Sequence, residues 1–184
     1  GGFGASSAIH VLARLISAID DIEVPAAPKT TYNVGIIEGG LSVNSIASSA
    51  RLWLDLRSEA PEALARLVAQ VEGIVGAMNR DHAAEGDGVL IAVEQVGNRP
   101  AGSVPRFTPL VTWAEAALHA VGCADVRYIT SSTDANVPLS QGYPAVCLGL
   151  TQSGNSHRPD EYIDITHLPA GLSQLLLVVL AAAG

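Results

Sequence analysis

The segment Ala50–Arg57, read Ala-Arg-Leu-Trp-Leu-Asp-Leu-Arg, alternates without a break. Ala50, Leu52, Leu54 and Leu56 fall on one side of an extended chain, and Arg51, Trp53, Asp55 and Arg57 on the other. Such alternation specifies a strand with one buried and one polar face. That is the pattern of an antiparallel sheet covered by helices on one side only. A partner strand is expected at Thr30–Glu38, where Tyr32, Val34 and Ile36 alternate, joined through the turn "EGGLSVN".

The covering helices are legible on either side. Ser6 or Ser7 can cap a helix running to about Ile19, with an apolar stripe of Ile9, Leu12, Ala13, Ile16 and Ile19. "SEAPE" starts a second helix, with Pro61 tolerated in its first turn and Leu64, Leu67, Val68, Val71, Ile74, Val75 and Met78 as its stripe. "EGDG" ends it, and Val89–Val96 reads as a third strand. The order α-β-β-α-β is a split βαβ unit, ferredoxin-like, without its first strand.

After the connector "GNRPAGSVPR" the rhythm changes. Thr108-Pro109 opens a helix to about Val121, Val126–Ile129 is a short strand, and "PAVCLGL" reads as a strand buried on both faces. A final helix starts near His167, and its run Leu175–Ala183 is too short to span a bilayer and reads as buried. The chain is therefore α/β, divided into residues 1–102 and 103–184. Polar loops follow the predicted strands of the second part, where α/β folds place their sites.

Composition narrows the functional classes. Of 184 residues 48% are hydrophobic and 15% charged, which describes a globular chain. A net charge of −8 without any Lys/Arg cluster argues against a nucleic-acid partner. Cys123 and Cys147 have no metal-type spacing and read as reduced, buried thiols of a cytoplasmic protein. No secretory signal or membrane partner is indicated. "GGFGASSAIH" lacks an initiator Met and runs almost directly into a helix, as expected inside a longer protein.

Candidate chemistry sits in three places. His157, in "SGNSHRPDEYIDI", is a metal ligand or a loop histidine bonded to backbone. Arg57 projects from the polar face of its strand, where a planar guanidinium suits a carboxylate; the alternative is an ion pair with Asp55. The loop "SSTDAN", Ser131–Asn136, follows a predicted strand as the His157 loop does. Glu161 reads as an acceptor for His157 or as a solvent-facing turn residue. His10, His82, His119 and His167 lie on or at the ends of predicted helices and read as structural or surface residues.

"STDANVPLSQGYPAVCLGL" followed by "GNSHRPDEYIDI" resembles the C-terminal part of the di-zinc metallopeptidase family of peptidase T, carboxypeptidase G, acetylornithine deacetylase and succinyl-diaminopimelate desuccinylase. "EGGLSVNSIASSARLWLDLRS" resembles the family's lid or dimerisation domain, and "GNRPAG" with "FGASSAIHVLARLI" fits the peptidase T-like branch. The resemblance implies a lid in residues 1–102, incomplete at its N-terminus, and part of a zinc-peptidase catalytic domain in 103–184. It makes His157 a metal ligand, and Asn44, Arg57, Ser132 and Thr133 substrate-binding residues, with Ser131 and Ser132 standing where the family has glycines.

What the resemblance implies chemically is a metal-dependent hydrolase of peptides or N-acyl amino acids. Two zinc ions per complete site are implied, with cobalt or manganese possible, together with a homodimer through the lid. The family's His-x-Asp motif, bridging Asp, Glu-Glu pair and lid histidine do not occur in this sequence. No catalytic residue is therefore assigned within it, and a non-catalytic dimerisation or binding module is the alternative. A catalytic zinc takes three protein ligands and a water. The chain by itself is accordingly expected to bind zinc weakly and to hydrolyse nothing. Calorimetric zinc titration with a peptide-hydrolysis assay checks this, and stoichiometric sub-micromolar binding with turnover contradicts it.

Overall fold

The computed structural model describes residues 5–184, so the Gly1-Gly2-Phe3 start lies outside the described residues. The chain divides into two compact units, Gly1–Asn98 and Arg99–Gly184.

In the first unit, β1 (Thr30–Gly39) and β2 (Ala50–Ser58) form a two-stranded antiparallel sheet. The expected alternation of β2 holds for Arg51, Asp55 and Arg57, which are exposed, and for Leu52, Leu54 and Leu56, which are half-buried; Trp53, expected on the polar face, is half-buried too. In β1 the alternation holds only to Val34. Tyr32 pairs with Leu56 and Val34 with Leu54, but the register then shifts between Val34 and Ile36. The extra residue at this bulge puts Ile37 opposite Leu52, while Ile36 stands opposite Trp53, on the polar side.

α1 (Ala8–Asp20) and α2 (Pro61–Glu85) cover the apolar face. Leu12, Leu15 and Ile19 of α1 meet Val71 and Val75 of α2, with Tyr32, Leu52, Leu54, Leu56 and Met78 packed around them. The α1 stripe is turned relative to the expected one: Val11 and Leu15 are buried, and Ala13 and Ile9 are exposed. α2 has Pro61 at its start and stops at Gly86, whose φ of 69° is left-handed, the conformation glycine adopts without strain.

Val89–Val96 is not a hydrogen-bonded strand. In the split βαβ order its neighbour is the first strand, which is not among the described residues. A helix side chain takes over one position: Asn79 Nδ2 donates to the Ile91 carbonyl (2.9 Å) and Asn79 Oδ1 accepts from the Ile91 N–H (2.8 Å). This holds Ile91 against the core.

A second tie closes α1 onto the end of α2. Asp87 Oδ2 accepts from Ser6 Oγ (2.5 Å) and lies 2.7 Å from Nδ1 of the buried His82, while Oδ1 accepts from the Val89 N–H (3.0 Å).

The second unit packs α3 (Pro109–Ala120) on α5 (Leu168–Ala183) through Ala114, Ala117 and Val178. Val146 and Leu148 of the expected "PAVCLGL" strand lie against this pair. Neither that run nor Val126–Ile129 is a hydrogen-bonded strand, and Cys147 and Gly149 are exposed, so burial is on one face rather than two. Cys123 is half-buried and Cys147 exposed, both as free thiols, which corrects the expectation of two buried ones. α5 is likewise not buried. Only Gly171, Gln174 and Val178 are, whereas Leu176, Val179 and Leu180 face outward. Gly171 is required here because a Cβ would overlap the Leu150 carbonyl. No helix among the described residues is long and apolar enough to cross a membrane.

The Asp87 tie makes stability depend on pH. The Ser6 hydroxyl, then the Val89 N–H, then His82 hold the Asp87 carboxyl down to about 2 from its ordinary 3.8. A depressed carboxyl stabilises the fold above its unfolded pKa, and that contribution is lost as pH falls through the folded value. Asp87→Asn is expected to melt lower than the parent at pH 7, with the gap closing between about pH 4 and about pH 2. Melting curves across that range check it; a gap that stays constant contradicts it.

Candidate functional site

Asn44 and Arg57 belong to the first unit. Arg57 sits on β2 because the strand's period of two sends it to the side away from α1 and α2. Its Nε donates to Asp55 Oδ2 at 2.6 Å, and both side chains are more than half exposed. The guanidinium's other nitrogens make no hydrogen bond among the described residues. The structure thus shows the ion pair with Asp55 and leaves a free donor edge beside it. On the same face Arg51 lies over the Trp53 ring, 4.9 Å from its centroid, and bridges to Glu38 at 2.9 Å.

Asn44 is exposed in the turn between β1 and β2, where its Oδ1 accepts from Ser42 Oγ (2.5 Å). No hydrogen bond joins it to Arg57.

The second unit holds Ser132, Thr133 and His157. The loop carrying the first two is fixed by the segment Arg99–Gly102. Arg99 Nη1 donates to Ser132 Oγ (3.4 Å), and Asn136 Nδ2 donates to the Pro100 carbonyl (3.1 Å). The Asn136 Oδ1 also accepts the Thr133 N–H (2.8 Å), closing the loop onto α4 (Asn136–Ser140). Gly102 packs so closely on α4 that a Cβ would stand 2.5 Å from the Leu139 carbonyl carbon. Arg99 is therefore a neighbour of the loop that sequence reasoning missed. Its signal, an arginine inside a Pro/Gly-rich connector, is indistinguishable from a linker without the fold.

His157 tops a short hairpin of β3 (Ser153–Gly154) and β4 (Tyr162–Ile163). Gly154 lies under the Tyr162 ring, where a Cβ would meet ring carbons at 2.7 Å. The Asp164 N–H donates to the Gln152 carbonyl (2.8 Å), extending the stem. The Thr166 hydroxyl and N–H hold the Asp164 carboxyl below its ordinary value. Asn155 and His157 both have left-handed backbones, with φ of 58° and 66°. The His157 imidazole is exposed and makes no hydrogen bond among the described residues. Glu161 reaches the His157 backbone N–H rather than its ring (3.3 Å).

A metal site can be tested on this donor set. His157 fits the role of one ligand, since its ring is exposed and unengaged. No group of three metal-ligating side chains among the described residues includes it. The one such group is His82, Glu85 and Asp87, whose His82 and Asp87 are already bonded to each other, as described above. Of the remaining histidines, His10, His119 and His167 are exposed, and His119 Nδ1 lies 3.1 Å from the Cys123 carbonyl.

Comparison with known proteins adds the following. Residues 1–83 match the model of the peptidase dimerisation domain. The tripeptidase from Staphylococcus aureus subsp. aureus Mu50 is similar in structure over 97% of this chain and 46% of its own, with 25% identity and a TM-score of 0.67. Aminopeptidase PepT from Bacillus cereus ATCC 10987 covers the same shares at 19% identity and a TM-score of 0.58, a likeness of fold. The chain thus spans less than half the length of either. No curated protein sequence matches it. The resemblance to the metallopeptidase family and its peptidase T-like branch is borne out, as is the α/β fold class.

Proposed function

We propose that this chain, with a peptidase dimerisation segment at residues 1–83, serves a metal-dependent hydrolase that cleaves the amide bond of a small peptide or N-acyl amino acid. The observation that carries the reading is the likeness to a tripeptidase along 97% of the chain. The first unit is read as the lid of a homodimer and the second as the C-terminal part of a catalytic domain. Two free thiols and the absence of any membrane-crossing helix among the described residues suit the cytoplasm.

His157 would be one ligand of the metal pair, taken as zinc with cobalt or manganese as alternatives. When bound, such ions polarise the scissile carbonyl and acidify a water. The chain's own residues bind and orient. Arg57 offers its free donor edge to a substrate carboxylate while Asp55 fixes the guanidinium from the Nε side. Asn44, from its turn, offers an amide to the same substrate. Ser132 and Thr133 present small polar groups from a loop braced by Arg99 and Asn136.

A second reading, a non-catalytic dimerisation or binding module, is favoured by one observation: no three-ligand group forms around His157 among the described residues. Amide hydrolysis by the native polypeptide, screened with zinc, cobalt and manganese, separates the two.

Arg57→Ala tests the substrate role. The side chain is exposed, so truncation leaves no cavity and is expected to change stability by no more than about 1 kcal/mol. Loss of a charge-assisted contact lowers kcat/KM by about 2–4 kcal/mol of transition-state stabilisation. Unchanged kinetics, or a large fall in melting temperature, contradicts the assignment.

A further inference from the structure

The His157 loop has a left-handed backbone at two positions. Asn155 and His157 have positive φ, a region sparse for non-glycine residues, although Asn and His enter it more readily than most. Such backbone persists only where its surroundings over-determine it. Asp160 supplies most of the restraint. Its carboxylate accepts from Asn155 Nδ2 (2.9 Å) and, through both oxygens, from Arg158 Nε (2.9 Å) and Nη2 (3.1 Å). Glu161 completes the clamp at the His157 N–H (3.3 Å).

Every one of these bonds goes to the loop's frame, and none engages the imidazole. The ring is left projecting with both nitrogens free among the described residues. We propose that Asp160 and Glu161 are positioning residues, which hold the backbone of residue 157 left-handed so that its imidazole is presented, unengaged, to a metal ion.

The inference rests on reading His157 as a ligand, and the experiment separates the two. Cobalt(II) is titrated into the native polypeptide carrying this chain, and binding is followed by the visible absorption of the ion. His157→Ala is expected to weaken cobalt binding markedly. Asp160→Ala and Glu161→Ala are each expected to weaken it about tenfold or more, as loss of an orienting partner does elsewhere. Glu161→Gln keeps an oxygen acceptor and is expected to restore affinity to near the parent's. Melting temperatures run alongside; the loop is exposed, so the folded state should survive each change. If Asp160→Ala unfolds the protein, the Glu161 pair alone decides. If His157→Ala weakens binding while the clamp variants match the parent, the clamp only stiffens the loop and the inference fails. If His157→Ala itself leaves cobalt binding unchanged, the ligand reading fails and takes the inference with it.

Discussion

The packing of Leu12, Leu15 and Ile19 against Val71 and Val75, over the leucines of β2, is the interaction on which the first unit depends. It fixes which face of the sheet is apolar, and so which face is left to Arg51, Asp55 and Arg57. Each side chain of that kind contributes roughly 1.5–3 kcal/mol on burial. A two-stranded ribbon is marginal alone and needs such cover. The placement of Arg57 on an exposed face is a consequence of the core, since the strand's alternation allows no other side.

Much of this was legible because alternation and helical stripes are local signals. β2, α2 and the stop at Gly86 follow from residues within a few positions of one another. The bulge between Val34 and Ile36 was not legible, because a register shift is decided by the partner strand. Val89–Val96 has the composition of a strand, but a strand is defined by its neighbour, and Asn79 stands in for one at a single residue. The apolar runs of the second unit misled for a related reason. Hydrophobicity in "PAVCLGL" and α5 forecasts burial, yet only one side of each is covered among the described residues.

The candidate site was legible in its residue types and not in its bonding. Arg57 and Asp55 are two positions apart on one strand face, so their pairing follows from periodicity. The bracing of Ser132 by Arg99 joins residues 33 positions apart and needed the fold. The sequence leaves Glu161 open between an acceptor for His157 and a solvent-facing turn residue; in the structure it is exposed and accepts from the His157 backbone N–H, not from the ring, because the left-handed turn brings the N–H toward the carboxylate.

We propose that the first unit is a pairing module. β1 is bonded to β2 along one edge and has no second strand among the described residues, and an open edge invites an antiparallel partner across a two-fold axis. Amide hydrogen exchange over Thr30–Gly39, measured across a dilution series with sedimentation on the same samples, tests this most directly. The expected result is a dimer whose β1 amides are protected and lose that protection on dissociation. A monomer at every concentration, with the outer β1 amides exchanging freely throughout, would contradict it.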